Sequence, residues 1–199
     1  LEILTHIGHS EKVFVMRIFL AVLVLIFSLQ SITKADDISE FEIEGISIGD
    51  SLLDYYSEEE IKKEETDSFV QKNKFIINGF YKHPSFEIYD RVQFIYKKND
   101  KKYIIHSLSG NVFYRKNIEK CYSKKNEIVK ELTDFLKGSA KKLDVGTKSH
   151  EADKSGKSKS TIVEFWFDNG DLARVICTDW SKKLEEENYW DDLAVILNS

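Results

Sequence analysis

The sequence predicts an α+β domain, an antiparallel sheet of about 4–6 strands with two or three helices packed on one face. Three observations support this prediction. β-forming residues alternate along two hairpins, an amphipathic segment between the hairpins has helical spacing, and a helix precedes each hairpin. Each helix–hairpin unit leaves one sheet face to be covered, and helices on a single side would cover it.

Strand signals occur in two groups. In the first, residues 75–81 and 86–97 are predicted strands, and residues 103–108 return after a turn at 98–101. A further short strand is predicted at 111–114. In the second group, strands at 161–167 and 172–178 flank Asn169-Gly170, a pair that favours the positive φ values of a tight turn.

Helix signals occur before each hairpin. One helix, or two broken ones, is predicted between 51 and 65, where Ser57 and Glu60 form a capping-box pattern. A longer helix begins after Asn117 and ends before Gly138, with apolar residues recurring at spacings of three, four and seven. The spacing of the apolar residues near the end of the chain predicts a last helix; these residues are Tyr189, Leu193, Ile196 and Leu197.

Two stretches fall outside this pattern. Residues 139–160 are rich in Ser, Gly and Lys, and we predict a mobile polar loop there. Residues 16–35 have the layout of a secretory signal peptide, with Arg17, an apolar run and small residues before a cleavage point after Ala35. The apolar run has 12 residues, fewer than the roughly 20 that span a bilayer, although a retained anchor is the alternative.

The signal peptide sets the expected domain boundaries and location. Residues 1–15 precede the only methionine, and we interpret them as a mis-called extension. A single domain is then expected over 36–199, in the periplasm, with no stable membrane span after cleavage. In that oxidising compartment Cys121 and Cys177 are predicted to form a disulfide, the alternative being two buried thiols.

One motif points to chemistry. Residues 49–52 read Gly-Asp-Ser-Leu, which resembles the nucleophile block of the GDSL esterases and lipases and implies Ser51 as nucleophile. The Asp-x-x-His of that family is missing, and neither His83, His106 nor His150 lies near the end of the chain. We therefore interpret Asp50 and Ser51 as helix-capping residues and predict no catalytic residue.

Composition argues against nucleic-acid-binding and metal-binding functions. The net charge of −5 makes nucleic acid an unexpected partner, because such binding depends on neutralising phosphates. The three histidines within 36–199 are scattered and predict no metal site and no cofactor. The turn at 168–171 lacks the later ligands of a calcium loop.

A possible binding surface follows from charge and aromatic residues. Lysines cluster at the first hairpin turn, and Trp166 lies between two phenylalanines on a strand whose side chains alternate between faces. The alternatives are a solvated turn and a packed core. The surface predicted here consists of Lys97, Lys98, Lys101, Lys102 and Trp166.

Four stretches carry a family resemblance: FEIEGISIGDSLLDYYSEEEI, YDRVQFIYKK, NIEKCY and NYWDDLAV. Together they resemble an uncharacterised family of exported proteins from AT-rich marine bacteria, which implies export and a two-cysteine α+β domain, with no activity. The Ile-x-Ile-Gly-Asp-Ser segment is also similar to small envelope proteins of the outer-membrane-assembly lipoprotein and β-lactamase-inhibitor type. Those proteins use helix–hairpin units and bind other proteins.

These observations favour a periplasmic, non-enzymatic binding protein whose partner is an envelope protein. A first alternative is a carrier of a small molecule or lipid that uses an aromatic sheet face. A second is a hydrolase that uses Ser51.

Overall fold

The largest structural element of the described chain is one antiparallel sheet. The computed structural model describes residues 37–66, 74–115 and 117–199. The predicted extension and signal peptide lie outside these ranges. The strands are β1 (Glu42–Ile43), β2 (Ile46–Ser47), β3 (Glu65–Thr66), β4 (Phe75–Tyr81), β5 (Arg91–Lys97), β6 (Ile105–Phe113), β7 (Ala140–Ser149), β8 (Lys159–Phe167), β9 (Leu172–Asp179) and β10 (Asp192–Asn198). The helices are α1 (Glu58–Lys63), α2 (Ile118–Phe135) and α3 (Lys182–Glu186).

The main sheet has the order β3-β4-β5-β6-β10-β9-β8-β7. All neighbouring strands in it are antiparallel, and β1 and β2 form a separate small hairpin. The predicted α+β class is confirmed. The predicted 4–6 strands are too few, since the sheet has eight.

The sheet consists of two halves that meet at its centre. In each half a helix precedes a four-strand meander, α1 before β3–β6 and α2 before β7–β10. The last strands of the two meanders, β6 and β10, pair with each other from Asp192↔Phe113 to Asn198↔Ser107. The predicted helix–hairpin units are therefore present, each with more strands than predicted.

One face of the sheet is covered by α2 and by the segment 38–63. The predicted disulfide joins Cys121 of α2 to Cys177 of β9, and its presence is confirmed. Tyr56 stacks on Phe80 of β4 with ring centroids 4.3 Å apart. The covered face therefore holds the hydrophobic core, in which the sheet residues Val92, Phe94, Leu108, Val175 and Leu197 are buried.

Local chemistry explains where several elements begin. Ser57 and Glu60 form the predicted capping box at the start of α1, and the Asn117 side chain caps α2.

Gly110 of β6 is needed for close packing, because a Cβ there would lie 2.5 Å from Cδ1 of Tyr89. A larger residue at this position would push against a buried ring.

Two predicted segments are wrong in their secondary structure. Residues 139–160, predicted as a mobile loop, contain the ten-residue strand β7, a turn and the start of β8. The predicted last helix is strand β10, at the centre of the sheet. Two smaller differences concern boundaries: β5 begins at Arg91, and β6 runs unbroken through Gly110.

In the described ranges, no helix is both long enough and apolar enough to cross a membrane. The longest helix there is α2, which carries charged residues along its length.

Candidate functional site

The face of the sheet that points away from α2 is the candidate site, and we call it the open face. Residues paired across strands share a face, and alternate residues change face. Cys177 faces α2, so its neighbours Ile176 and Thr178 belong to the open face. By register the open face includes Ile77, Tyr81, Arg91, Gln93, Ile95, Ser107, Ser109, Asn111, Phe113, Lys141, Leu143, Ser160, Ile162, Glu164, Trp166, Leu172, Arg174, Ile176, Thr178, Asp192, Ala194, Ile196 and Asn198.

A buried carboxylate holds two large side chains in place on β8 and β9. Oε1 of Glu164 accepts hydrogen bonds from Arg174, at 2.9 Å from Nε and 2.6 Å from Nη2. Oε2 of the same carboxylate accepts from Nε1 of Trp166 at 2.9 Å. Trp166 nevertheless remains 40% exposed. The group therefore presents an indole and a guanidinium in fixed positions.

A second polar network crosses β4, β5, β6 and β10. Asn111 donates from Nδ2 to Oδ2 of Asp192 at 2.6 Å. Arg91 donates from Nε and Nη2 to Oδ1 of Asn111, at 3.2 and 3.1 Å. Its Nη1 donates to the hydroxyl oxygen of Tyr81 at 3.0 Å. The network connects an exposed tyrosine at one end with a buried aspartate at the other.

Asp192 lies under two rings from neighbouring loops. Trp180 donates from Nε1 to Oδ1 of Asp192 at 3.4 Å, and the His150 ring lies 4.4 Å from the Trp180 ring. Burial raises the pKa of the Asp192 carboxyl, while the bond from Asn111 and the charge of Arg91 oppose that shift. Burial also lowers the pKa of the His150 imidazole, against the nearby Asp192 charge.

An aromatic ladder borders this network. The rings of Tyr81 and Phe113 stack at 6.4 Å, and Trp190 meets Phe113 edge-on at 5.3 Å. The guanidinium of Arg91 lies 5.4 Å from the Tyr81 ring centroid, and that of Arg115 lies 4.6 Å from that of Trp190. Cations at these distances are attracted to the ring faces. The ladder therefore places two cations against aromatic rings at this end of the face.

Rare residue types are concentrated on this side of the molecule. The chain has three tryptophans and four arginines, against 25 lysines. All three tryptophans, and the three arginines within the described ranges, lie on the open face or against it. Arginine differs from lysine in offering a planar fork of donors that also stacks on rings.

The predicted binding residues do not form one cluster. Lys97 lies at the end of β5 on the open side, while Lys98, Lys101 and Lys102 lie in the turn that leads to β6. Trp166 is on β8, four strands away, which corresponds to about 20 Å at ordinary strand spacing. Trp166 is 40% exposed, so of the two alternatives for this residue the packed core does not apply.

The Gly-Asp-Ser-Leu motif serves local structure. Ser51 donates its hydroxyl to the Lys102 carbonyl at 2.6 Å and accepts from the Leu53 N–H at 3.2 Å. Asp50 accepts from the Ser47 N–H at 2.9 Å and from the Tyr55 hydroxyl at 2.6 Å. Ser51 thereby caps a short 3-10 helix at Leu52–Asp54, which confirms its predicted capping role, and Asp50 supports the preceding turn.

The three histidines of the described ranges lie in separate surroundings. His83 packs against Tyr56 and Phe86, His106 meets the Phe75 ring, and His150 lies against Trp180. Within residues 37–66, 74–115 and 117–199, no three His, Cys, Asp or Glu side chains group as metal ligands would.

Several open-face residues were missed by the sequence analysis, among them Tyr81, Arg91, Asn111, Arg174 and Asp192. The rarity of arginine in a lysine-rich chain was the available signal, because it marks positions where a fork of donors is used. Asp192 had no such signal, since its strand was predicted as a helix.

Comparisons with known proteins assign no family. Neither protein-family models nor curated proteins nor solved structures gave a match to this chain. The functional argument therefore depends on the open face itself.

Proposed function

We propose that this chain is a non-catalytic binding protein that docks another protein on its open face. The observation that supports this most strongly is the gathering of all three tryptophans and the three described arginines on or against that face. Tryptophan, tyrosine and arginine are the residue types that dominate the binding energy of protein interfaces.

The anchors are held before any partner arrives. Glu164 fixes both Trp166 and Arg174, and Asn111 fixes Arg91. Ordering a long side chain at an interface costs about 0.5–1.5 kcal/mol, and side chains that are already ordered avoid much of that cost. Pre-organised anchors are expected of a binding surface and have no evident use on a merely solvated one.

The size of the face fits a protein partner. The seven strands β4–β10, of seven to ten residues at about 3.4 Å per residue and about 4.8 Å apart, give roughly 900 Å² for one face. A standard protein–protein interface buries about 800 Å² on each partner. A small molecule needs a concave site that buries most of its surface, whereas an open sheet face is broad.

The proposal includes export. The signal-peptide layout at 16–35 predicts it, and the Cys121–Cys177 disulfide agrees with an oxidising compartment. The partner is then an envelope protein of the same organism.

Affinity capture with paired variants tests the proposal. The oxidised protein is used as bait on an envelope extract of the source organism, and bound proteins are identified by mass spectrometry. The test bait carries Tyr81→Ala and Trp166→Ala, which remove two exposed anchors of the open face. The matched control carries Leu53→Ala and Tyr55→Ala, which remove two similarly exposed residues from the segment that packs on the covered face.

The expected result is one discrete partner that is retained by the wild type and the control and is lost from the open-face variant. Retention by the open-face variant with loss from the control would move the binding site to the other side. Capture of no protein by any bait would favour a carrier, which extraction of the purified protein for bound small molecules would then test.

A further inference from the structure

Strand β7 forms one outer edge of the sheet. It runs over ten residues, Ala140–Ser149, and pairs with β8 alone. No other strand within the described ranges lies along its outer side. The outward N–H and C=O groups of such a strand form a template onto which another extended chain can pair.

The edge is basic on a protein that is acidic overall. Residues 137–159 contain seven lysines against three carboxylates, while the whole chain has a net charge of −5. By register Lys141 and Lys148 point to the open face and Lys142 points to the covered side. Positive charge therefore flanks the edge on both sides of the sheet.

A bulge and the lysines make self-pairing unfavourable. The register of β7 shifts between Asp144 and Gly146, and the Gly146 N–H donates to Oδ1 of Asp144 at 3.0 Å. Bulges and lysines are the usual means by which edge strands avoid pairing with copies of themselves. A second copy would bring lysine close to lysine. An acidic strand would instead place carboxylates opposite the lysines, where cross-strand pairs of opposite charge are stabilising.

We propose that β7 accepts an extended acidic segment of a partner protein as a ninth strand. The backbone of the segment pairs with the outer edge of β7, and its Glu or Asp side chains face Lys141, Lys142 and Lys148. Strand addition of this kind takes affinity from main-chain hydrogen bonds and specificity from alternate side chains. Strand addition depends on the outward backbone of β7, whereas docking on the open face depends on anchors such as Tyr81 and Trp166, so either proposal can fail without the other.

Two model peptides test the inference. One is a ten-residue peptide of alternating Thr and Glu, and the other alternates Thr and Lys; both are acetylated and amidated. Binding to the oxidised protein is followed by fluorescence anisotropy at low salt, and hydrogen exchange shows which amides become protected. The test variant is Lys141→Glu with Lys148→Glu, because these two lysines lie on the same face and can meet the Glu side chains of one alternating peptide. The matched control is Lys98→Glu with Lys101→Glu in the β5–β6 turn.

The Thr–Glu peptide is expected to bind and to protect amides of residues 140–149, whereas the Thr–Lys peptide does not. The test variant should weaken this binding about tenfold, which corresponds to two modest ion pairs, and the control should not. Failure of the Thr–Glu peptide to bind, or binding without protection of 140–149, would overturn the inference. Tight binding to phosphatidylglycerol vesicles without peptide binding would assign the lysines to a membrane instead.

Discussion

The two faces of the sheet are built from the same strands yet have different chemistry. On β10, Leu193, Val195 and Leu197 point to the covered face and are buried, while the open side carries Ala194, which is also buried, and half-buried Ile196. The open face adds arginine, asparagine and buried carboxylates to its isoleucines. A face that serves only packing needs shape and apolar area, whereas the open face carries oriented polar groups that packing does not require.

The largest loss of stability is expected from removal of the disulfide that joins α2 to the covered face of the sheet. Replacing both Cys121 and Cys177 by Ala removes a link between residues 56 positions apart. A crosslink over that span stabilises by about 4 kcal/mol on the chain-entropy model. Urea unfolding of the oxidised protein, the reduced protein and the double variant measures it. Equal urea midpoints for the three proteins would show that the disulfide between α2 and β9 does not stabilise the fold.

Leu197 and Ile196 are neighbours on β10 that point to opposite faces, so replacing each by Ala compares the two faces. Leu197→Ala should cost about 3 kcal/mol, because a fully buried side chain leaves a cavity in the core. Ile196→Ala should cost about 1 kcal/mol, because half-buried Ile196 has less apolar surface to lose. Both values come from the same unfolding assay. Similar losses in the free energy of unfolding for the two variants would mean that the Ile196 side chain is packed as tightly as a core residue.

A smaller effect is expected at Lys125 on α2. Its side chain is buried, and no ion pair to it occurs in the part of the chain that the structure describes. Burial lowers the pKa of its ammonium, so the charged form is penalised in the folded state. Lys125→Met should therefore stabilise by about 1 kcal/mol at pH 7. The gain should shrink as the pH rises toward 10.5, because the folded wild type loses this proton at a lower pH than the unfolded chain does. A loss of stability would show that the charge is compensated.

The smallest effect is a dependence on pH at Asp192. Burial raises its pKa, so the folded protein keeps this proton to higher pH than the unfolded chain, and stability falls as pH rises above 3.8. Asp192→Asn should remove that fall, so the variant gains on the wild type between pH 4 and 7. Urea midpoints across this range measure the difference.

Asp153 provides the opposite case as a control. Hydrogen bonds from Ser158 and Ser155 hold the pKa of Asp153 below its ordinary value, so its contribution is present at neutral pH and lost in acid. Asp153→Asn should lower stability at pH 7, and this loss should shrink progressively as the pH falls below 3.8. The same pH trend in both variants would contradict the assignment of either carboxylate.

The position of each segment in the fold explains whether its secondary structure could be predicted from the sequence. The hairpin at Asn169-Gly170, helix α2 and the disulfide depend on local signals, and all three were correct. Strand β7 lies at an edge with water around much of it, so it lacks the alternation of a half-buried strand. Strand β10 is central and buried on both sides near Asp192, so its apolar run resembles a helix in spacing.

The candidate site was only partly predictable for a related reason. Alternation around Trp166 predicted an exposed aromatic if one face stayed open, and this is where the structure places it. The network from Tyr81 to Asp192 joins residues from strands β4, β5, β6 and β10. No local pattern brings such distant segments together, because the pairing of β6 with β10 is a property of the whole sheet.

Site-specific photo-crosslinking in the source organism tests most directly whether the open face is the docking surface. A photo-reactive amino acid replaces Trp166 on the open face in one strain and Tyr55 in another, and crosslinked products are identified by mass spectrometry. We predict a discrete protein adduct from position 166 and none from position 55. An adduct from position 55 alone would contradict the account and place the partner on the opposite side of the sheet.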